Sequence, residues 1–326
     1  MKNDLLKKIG EVINSNHSFL IISHKNPDGD TIGSNFALSE SLTIEGKDVI
    51  SYCENDVPED FKFLLNENIN FTNKVEDFSN KKFDVTIAVD GSDKKRFSEF
   101  DSIRLSSKII INIDHHKTNE YFGDYNYVDV DACSTASIIY DLINILNFKI
   151  NLNIAKSIYT GIITDTGSFR YSNTNKRTFK IASELMEYGI NAWEIAEKIY
   201  ENIPYKRIRL LSEALNNLYL TANNKIAIMS VTKNTLKKYN ATYEDTDGFV
   251  NYGRSIKGVE LSIFIREEDN GCKLSFRSKG NIDASKLAEE FGGGGHFNAA
   301  GAFIEKPLDE VLKIINNTIS SKNYIL

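Results

Sequence analysis

Short apolar runs alternate with a helical pattern through the first part of the chain. Runs rich in Val and Ile predict strands at about 19–23, 48–53, 83–90 and 108–114, and the stretch from about 30 to 45 has the length and spacing of a helix. Strands that are apolar along most of their length and separated by helices indicate a parallel sheet with both faces covered. In such sheets, ligands bind beyond the carboxyl ends of the strands.

The pattern changes twice in the second part of the chain. It is strongly helical from about 131 to 217, and strand patterns return from about 218 onwards, where the alternation in KLSFRS predicts a half-exposed strand. A length of 326 residues suits two domains. We therefore predict an α/β protein with a parallel-sheet, Rossmann-like domain at 1–189, a helical linker at 190–219 and a smaller α+β domain at 220–326.

Composition and charge exclude two classes of protein. Hydrophobic residues make up 41% of the chain and charged residues 26%, a balance that supports a packed core and not a disordered chain. The net charge of -6 argues against a protein that holds long nucleic acid on a basic surface, because Lys and Arg supply most of that affinity. A small anionic substrate remains compatible, since a local positive site can outweigh the overall sign.

The cysteines and the apolar runs bear on cellular location. Cys53, Cys133 and Cys272 are widely spaced and form no C-x-x-C pair, so that neither a disulfide framework nor a thiolate zinc site is indicated. Residues 1–16 have an amphipathic pattern and not the continuous apolar core of a signal peptide. No apolar run approaches the roughly 20 residues that span a bilayer. We expect a cytoplasmic protein without a membrane partner.

Side chains able to bind a metal follow three strands of the predicted sheet. They are His24, Asp28 and Asp30 in HKNPDGDTIGS after the first strand, Asp90 at the end of FDVTIAVD, and Asp114, His115 and His116 at the end of KIIINID. A single Asp at a strand end is more often a helix cap or a turn former than a ligand. Three strand ends of one sheet that all carry Asp or His are harder to explain as caps.

A fourth element adds Asp165, which follows an apolar helical stretch in TGIITDTGSFRY. The candidate ligands are then four carboxylates and two imidazoles, with no thiolate: Asp28, Asp30, Asp90, Asp165, His24 and His115. Such an oxygen-rich set suits Mn²⁺ or Mg²⁺ better than a structural zinc ion. Burying so many carboxylates without cations would be unfavourable.

These segments carry a family resemblance. HKNPDGDTIGS, VDGSD, DHH and GIITDTGSF, in that order, resemble the four motifs of the DHH phosphoesterase family. LSFRSKG at 274–280 and GGGGHFNAAG at 292–301 are similar to the substrate-binding domain that accompanies the DHH domain, so the resemblance covers nearly the whole chain. The compact length and the GGGGH signature are most similar to the nano-RNase and pAp phosphatase group of that family.

The resemblance implies two divalent metal ions, Mn²⁺ in the first place with Mg²⁺ as the alternative, and hydrolysis by water without a protein nucleophile. One ion would be held by His24, Asp28 and Asp90, and the other by Asp30, Asp90, His115 and Asp165. The catalytic side chains would be His116, facing the substrate phosphoryl group, and Asp114, supporting the pair of histidines.

The glycine run implies a substrate-binding loop. Consecutive glycines usually form a flexible connector, but here they stand between a probable helix, KLAEEF, and a probable strand, AAGAFI. We expect a close-approach loop whose backbone N–H groups meet an anion. The resemblance assigns substrate binding to Arg277, His296, Gly294 and Gly295, with Arg254 and Lys279 as weaker candidates for which a solvated surface charge is an equal alternative.

Two positions depart from the family pattern. Gly91 stands where relatives often carry Thr, and Phe297 stands where Lys or Pro is common. Phe297 could stack on a base, although a buried core phenylalanine is the commoner role. Substrate preference could therefore differ from that of relatives even though the predicted ligand set is complete.

Together these observations predict a two-domain phosphoesterase with its site in the cleft between the domains. The expected substrates are RNAs of a few nucleotides and 3′-phosphoadenosine 5′-phosphate (pAp), and not long nucleic acid. A phosphodiesterase acting on cyclic dinucleotides or pApA is the alternative enzyme, and a non-catalytic nucleotide-binding regulator is the alternative from another class. A homodimer is compatible with the sequence.

Overall fold

The computed structural model describes residues 2–279 and 281–321. Contacts between residues divide the chain into two compact units, Met1–Asn202 and Ile203–Leu326. Within the described ranges, no helix combines the length and the apolar character needed to cross a membrane.

The first unit is built on a six-stranded parallel sheet. Its elements are α1 (Lys2–Asn14), β1 (Ser18–Ser23), α2 (Gly29–Ile44), β2 (Asp48–Tyr52), β3 (Phe71–Thr72), β4 (Phe83–Val89), α3 (Phe100–Ser106), β5 (Ser107–Asp114), β6 (Tyr125–Val128), α4 (Thr135–Ile145), α5 (Leu152–Asp165), α6 (Lys176–Met186) and α7 (Ala192–Tyr200). The strand order is β3-β2-β1-β4-β5-β6, with parallel pairing throughout. The predicted parallel-sheet fold is confirmed.

Both faces of this sheet are covered, as the apolar strands predicted. Phe19 and Ile21 on one face of β1 belong to a core cluster that includes residues of α1, α2 and α4. Leu20 and Ile22 on the other face pack with residues of α3. The neighbours of successive β1 residues therefore alternate between the two layers of helices, as the period of a strand requires.

The order of strands reverses between β1 and β4, which lie side by side in the middle of the sheet. In a doubly wound sheet, this switch point is where the connections leave in opposite directions and open a crevice for a ligand. The pairing of Ser23 with Val89 brings the next residues, His24 and Asp90, to adjacent strand ends. The topology thus places two predicted ligands at the crevice.

A close approach of α2 and α5 positions the remaining carboxylates. A β-carbon on Gly33 would come within 2.4 Å of the Ser157 carbonyl oxygen, and one on Gly161 would come within 2.8 Å of Asp30 Oδ1. Glycine at both positions therefore allows the two helices to pack with their backbones nearly in contact. This contact brings Asp30, in the first turn of α2, close to the last turn of α5, which ends at Asp165.

The second unit contains a mixed six-stranded sheet. Its elements are α8 (Tyr205–Asn216), β7 (Tyr219–Thr221), β8 (Ile226–Val231), α9 (Lys233–Lys238), α10 (Val250–Ser255), β9 (Leu261–Glu268), β10 (Gly271–Ser278), α11 (Ala284–Glu289), β11 (Gly294–His296), β12 (Ala299–Ile304) and α12 (Leu308–Ser321). The strand order is β11-β12-β10-β9-β8-β7, and only the β8–β9 pair is parallel.

Strand β10 shows the alternation predicted from KLSFRS. Leu274 and Phe276 are fully buried in a cluster with residues of α11 and α12. Ser275 and Arg277 lie on the opposite face of the sheet and are half-buried. Ser275 and Arg277 line a pocket on that second face.

The segment predicted as a linker is shared between the two units. Ile195 of α7 is buried in the core of the first unit, and Leu210 of α8 is buried in a cluster of the second. Each helix has an apolar face with its own partner, so the contact boundary falls between them at 202/203. The segment predicted as a helical linker, 190–219, thus contains α7 and α8, one on each side of that boundary.

Candidate active site

The predicted ligand side chains of the first unit converge in overlapping groups. In each group the ligand atoms lie within 4.8 Å of one another. The groups are His24, Asp28 and Asp90; Asp30, His115 and Asp165; and Asp90, His115 and His116. All six predicted ligands are thus close together, although they come from widely separated parts of the chain.

The spacing of these atoms fits shared cations. His115 Nε2 lies 3.9 Å from Asp30 Oδ2, 3.7 Å from Asp90 Oδ1 and 3.7 Å from Asp165 Oδ2. His24 Nε2 lies 3.8 Å from Asp90 Oδ2. These distances are too long for direct hydrogen bonds. Two donor atoms that each lie about 2.1 Å from one ion are at most about 4.2 Å apart, so the observed gaps can be spanned by divalent ions.

The first group combines a helix cap with candidate ligands. Asp28 is the N-cap of α2, and its Oδ1 accepts hydrogen bonds from the backbone N–H groups of Asp30 and Thr31. The Thr31 hydroxyl lies 2.6 Å from His24 Nε2 and 2.7 Å from Asp90 Oδ2. Capping and metal binding are therefore compatible roles for Asp28, since each carboxylate oxygen has more than one lone pair.

The N-terminus of α4 binds two carboxylates of the cluster. Asp30 is 1% exposed, and its two oxygens accept hydrogen bonds from the backbone N–H groups of Thr135 at 2.7 Å and Ala136 at 2.9 Å. The Thr135 hydroxyl donates to Asp90 Oδ1 at 2.9 Å. Free N–H groups in the first turn of a helix favour negative charge, so α4 stabilises this anionic cluster.

Burial opposes ionisation at two of the carboxylates. It raises the pKa of Asp165 to about 6 and that of Asp30 well above its usual range, and repulsion from neighbouring aspartates adds to both shifts. At Asp90, burial acts in the same direction, but His24 and the imidazoles of His115 and His116 hold its pKa below the usual range. Divalent cations would offset the repulsion between carboxylates that raises the pKa values of Asp165 and Asp30.

Asp90 has an unusual backbone conformation. Its φ angle is +60°, in the left-handed region, and the residue is 2% exposed. Its N–H donates to the Ile113 carbonyl oxygen on β5 at 3.0 Å. Non-glycine residues adopt this conformation at a cost in free energy and are concentrated at functional sites. The strain points to a functional demand on the Asp90 carboxylate.

Asp114 orients His116. The buried Asp114 Oδ1 is 2.7 Å from His116 Nδ1, and its Oδ2 accepts a hydrogen bond from Asn119 at 2.6 Å. Burial disfavours the protonated imidazole, but the bond with Asp114 and the charge of Asp90 outweigh it and raise the pKa of His116 to about 9. Because Nδ1 is engaged by Asp114, Nε2 is the nitrogen left for another partner.

Four polar residues of the site were missed from the sequence. Thr31, Thr135 and Asn119 bind the cluster as described above, and the Asn173 side-chain amide donates to Asp165 Oδ2 at 3.0 Å. Thr and Asn have no titratable group, and a search for carboxylates and imidazoles passes over them. The one available signal was position, because Thr31 lies in the first turn of α2 and Thr135 is the first residue of α4.

The second unit has a pocket of about 490 Å³ on the face of its sheet opposite the side chains of Leu274 and Phe276. Its lining includes Arg266 of β9, Lys273 and Arg277 of β10, and Gly294 and Gly295 of β11. Three predicted substrate-binding residues therefore line one concavity. Arg266 is paired with Glu268 and Asp247 also lines the pocket, so Lys273 and Arg277 are the cations that suit an anionic ligand.

The glycine run is part loop and part strand: Gly292 lies in a turn and Gly293 in no regular element, whereas Gly294 and Gly295 belong to a strand. Gly294–His296 is a short edge strand, β11, that pairs antiparallel with β12. A β-carbon on Gly293 would come within 2.1 Å of the Gly301 carbonyl oxygen, and one on Gly295 within 2.5 Å of that of Ala299. The close approach of backbone expected at this run is therefore present, but it is made between two paired strands. Anion binding by these glycines stays a prediction.

Three further predicted residues lie elsewhere. Arg254 is on α10 and is not among the described residues that line the pocket. The Lys279 ammonium donates to the Ile256 carbonyl oxygen at 3.0 Å. Phe297 is 47% exposed, so it is not a core residue. For His296 the structure describes only the backbone, which pairs with Ala299.

Comparison with known proteins agrees with this architecture. Residues 18–162 match the family described as DHH family, N-terminal domain, and residues 213–321 match the DHHA1 domain. The chain is 31% identical to the bifunctional oligoribonuclease and PAP phosphatase NrnA of Thermus thermophilus, with 94% of this chain and 91% of the relative covered. It is 29% identical to the Bacillus subtilis protein of the same description, with 93% of each covered.

A solved structure shows the same fold over nearly the full length. The crystal structure of an exopolyphosphatase-related protein from Bacteroides fragilis superposes with a TM-score of 0.92 at 31% identity, covering 98% of this chain and 96% of that one. A parallel sheet with an Asp and His cluster at its switch point, followed by a second unit with a cationic pocket, defines a metal-dependent hydrolase of phosphate esters. The chain belongs to the DHH family of phosphoesterases.

Proposed function

We propose that this enzyme hydrolyses RNAs of a few nucleotides and also pAp, with two divalent ions, Mn²⁺ by preference, in the first unit. One ion is assigned to His24, Asp28 and Asp90, and the other to Asp30, Asp90, His115 and Asp165. The observation that carries the proposal is that these six side chains converge with gaps suited to cations and with no thiolate among them.

The substrate class is supported by the relatives. The Thermus thermophilus and Bacillus subtilis proteins are each described as an oligoribonuclease and PAP phosphatase, and this chain aligns with nearly all of both. The two activities share one chemistry, since each breaks a phosphate ester on a nucleotide. The cationic pocket of the second unit supplies a separate site for the anionic remainder of such a substrate.

The side chains divide the chemical work. Bound divalent ions supply the activation of water and offset the charge that develops on the phosphate. Asp114 holds the His116 ring through Nδ1, and His116 Nε2–H donates a hydrogen bond to a phosphoryl oxygen, stabilising its charge. Thr31 and Thr135 orient the Asp90 carboxylate between the two ligand groups. Arg277 binds an anionic group of the substrate outside the ligand set.

The direct test is a parallel assay of the full chain. The purified protein, stripped of metal and reloaded with Mn²⁺ or Mg²⁺, is incubated with a labelled RNA dinucleotide, pAp, pApA, cyclic di-AMP and pyrophosphate. We expect turnover of the dinucleotide and pAp in Mn²⁺, loss of turnover with a chelator, and recovery on adding Mn²⁺. Faster turnover of cyclic di-AMP or pyrophosphate than of both expected substrates would overturn the assignment, and binding without turnover would indicate a regulator.

Two further expectations are part of the proposal. A cytoplasmic location fits the three cysteines, which are buried free thiols, because reducing compartments keep thiols unpaired. A homodimer stays a prediction. Sedimentation of the purified protein at several concentrations measures the mass directly, and a constant monomer mass would contradict it.

A further inference from the structure

Arg96 is a cation beside the candidate ligand cluster that the family motifs did not single out. Its Nη2 atom lies 3.1 Å from both ring nitrogens of His24. His24 Nδ1 is 2.8 Å from the Lys25 carbonyl oxygen; with the ring proton placed on Nδ1, Nε2 is the nitrogen that can accept from Arg96. Nε2 is also the atom that faces Asp90. The guanidinium therefore lies at the edge of the first ligand group.

A backbone hydrogen bond and the packing of the next residue hold Arg96 in place. Its carbonyl oxygen accepts a hydrogen bond from the N–H of Lys25 at 2.8 Å. The next residue, Phe97, is 3% exposed, and its ring packs against Phe122 and into the space over Gly91. Arg96 ends a single turn of 3-10 helix, 94–96, capped by Asp93. Its position is thus set by packing and not by a mobile loop.

Arg96 is half-buried and has no carboxylate partner among the described residues, whereas Lys95, which also has no described ion pair, is exposed to solvent. Lys25 pairs with Glu54 and Lys94 with Asp101, whereas no described carboxylate lies within 4.0 Å of the Arg96 guanidinium. The side chain is half-buried. A half-buried charge is unfavourable unless an opposite charge compensates it.

The aspartates of the cluster are poor candidates for that compensation. Two divalent ions held there, as proposed above, would balance the four carboxylates and would leave no surplus negative charge for Arg96. When His24 Nε2 gives its lone pair to a cation, it also ceases to accept a hydrogen bond from Arg96. The missing partner must then be an anion from outside the chain, and the substrate phosphate is the anion that this site is built to receive.

We propose that Arg96 is a substrate-binding residue that donates hydrogen bonds to a phosphate oxygen on the His24 side of the cluster. This inference rests on the proposed function and adds to it a contact from the first unit. A guanidinium suits the role because its planar fork can bind two phosphate oxygens at once, whereas an ammonium acts as a single point charge. The rival role is positioning of the His24 ring, which would act on metal binding.

Binding of AMP, the shared product, separates the two roles. The wild type, Arg96→Gln, Arg96→Lys and the control Lys95→Gln are loaded with Mn²⁺ and titrated with AMP and with adenosine by calorimetry. Lys95 is an exposed cation of the same helical turn. We expect Arg96→Gln to weaken AMP binding by about 10-fold or more, the usual range for a charged hydrogen bond, with Arg96→Lys intermediate. Lys95→Gln should match the wild type, and adenosine affinity should not change.

Metal content and thermal unfolding are measured on the same samples. We expect all four proteins to hold the same Mn²⁺ per chain and to unfold at similar temperatures. Equal AMP affinity in Arg96→Gln and the wild type overturns the proposal, and so does loss of Mn²⁺ in that variant, which would make Arg96 a positioning residue.

A third comparison separates this inference from the proposed function. If the wild type binds inorganic phosphate but not AMP, the nucleotide function fails, and the Arg96 variants are compared with phosphate instead. If the wild type binds neither anion, both proposals are wrong.

Discussion

The ring of Phe97 occupies the space that a side chain on Gly91 would need, since a β-carbon built on Gly91 would lie 2.2 Å from Phe97 Cζ. In the sequence, Gly91 stands where relatives often carry Thr. The structure gives a physical reason why this chain has glycine at that position. The space is filled by a buried aromatic ring of the same chain, so the missing side chain does not enlarge the substrate site.

Gly91→Thr should destabilise the first unit by about 1–3 kcal/mol, because it forces extra atoms into a filled core. The effect should be smaller in the Phe97→Ala background, where the ring is gone, so that the two substitutions are not additive. Unfolding in urea measures the free-energy change caused by Gly91→Thr in the wild type and in the Phe97→Ala background. Gly10→Ala is the control, since its β-carbon would meet its nearest neighbours at an ordinary 3.5 Å. Additive effects of the two substitutions would contradict the packing argument.

Asp90 is expected to be indispensable for metal binding. Asp90→Ala and Asp90→Asn should each abolish turnover and lower the Mn²⁺ content, because the carboxylate belongs to two ligand groups. Asn tolerates the left-handed backbone that Asp90 adopts, so Asp90→Asn should keep a wild-type melting temperature. Retention of more than about a tenth of wild-type activity in either variant would contradict a bridging role.

The sequence predicted the ends of the central strands well, because their apolar runs stop at Asp or His. Asp90 directly follows β4, and Asp114 is the last residue of β5. Parallel strands joined by helices have few alternative arrangements, so the two ends were expected at one edge of the sheet. The approach of Asp30 to the N-terminus of α4 was not predictable, since it joins Asp30 to Thr135, 105 positions further along the chain. Contacts of that kind depend on how helices pack and leave no local pattern.

The glycine run illustrates a second limit. Consecutive glycines are typical of both a flexible loop and a strand in close contact, and the two differ only in what lies opposite. Here the opposite residues are Gly301 and Ala299 on β12, which were themselves predicted as a strand. Recognising the pairing would have required knowing that the turn at Phe297 is short enough to bring the two segments together.

His116 is assigned to the substrate and not to a metal. His116→Ala should therefore lower kcat by about 10²-fold or more while Mn²⁺ per chain stays at the wild-type level, since one stabilising donor is lost in the transition state. His115→Ala is the matched control and should lose Mn²⁺, because His115 Nε2 lies between three carboxylates. Elemental analysis after gel filtration distinguishes the two. The reverse pattern would exchange the roles of the two histidines.

Asp84 should contribute to acid stability. Its bonds with the Lys108 ammonium and with the backbone N–H groups of Ser18 and His17 lower its pKa to about 2. A depressed pKa in the folded state stabilises the fold above the unfolded pKa, and this contribution is lost as the pH falls. The melting temperature of the wild type should exceed that of Asp84→Asn near neutral pH, with the gap closing between about pH 4 and pH 2. For the control Asp48→Asn, at an exposed position, the difference in melting temperature from the wild type should not change with pH in this way. A gap that stays constant would mean that the Asp84 charge is not involved.

The last prediction is that the enzyme prefers very short substrates. Arg277 and the glycines of β11 line one pocket of limited volume, about 490 Å³, which suits a nucleotide-sized group and not a long strand. A net charge of -6 offers little support for a basic track that would hold further nucleotides. Activity per 5′ end should therefore fall as RNA lengthens from two to about ten nucleotides. Equal kcat/KM for a dinucleotide and a strand of about twenty nucleotides would favour an open-channel exonuclease instead.

Arg277→Ala tests the same idea from the side of the protein. Arg277 lines the pocket of the second unit, whereas the ligand cluster lies in the first unit. The substitution should therefore leave the Mn²⁺ content unchanged. It should raise KM for the dinucleotide by about 10-fold, because a charge-assisted contact is lost in the ground state and the transition state alike. Lys279→Ala is the control, since Lys279 is exposed and donates to the Ile256 carbonyl oxygen. Steady-state kinetics with dinucleotide and pAp measure the change. If Arg277→Ala and Lys279→Ala have the same kinetics, substrate recognition does not depend on this pocket, and the preference for short RNA would need another cause.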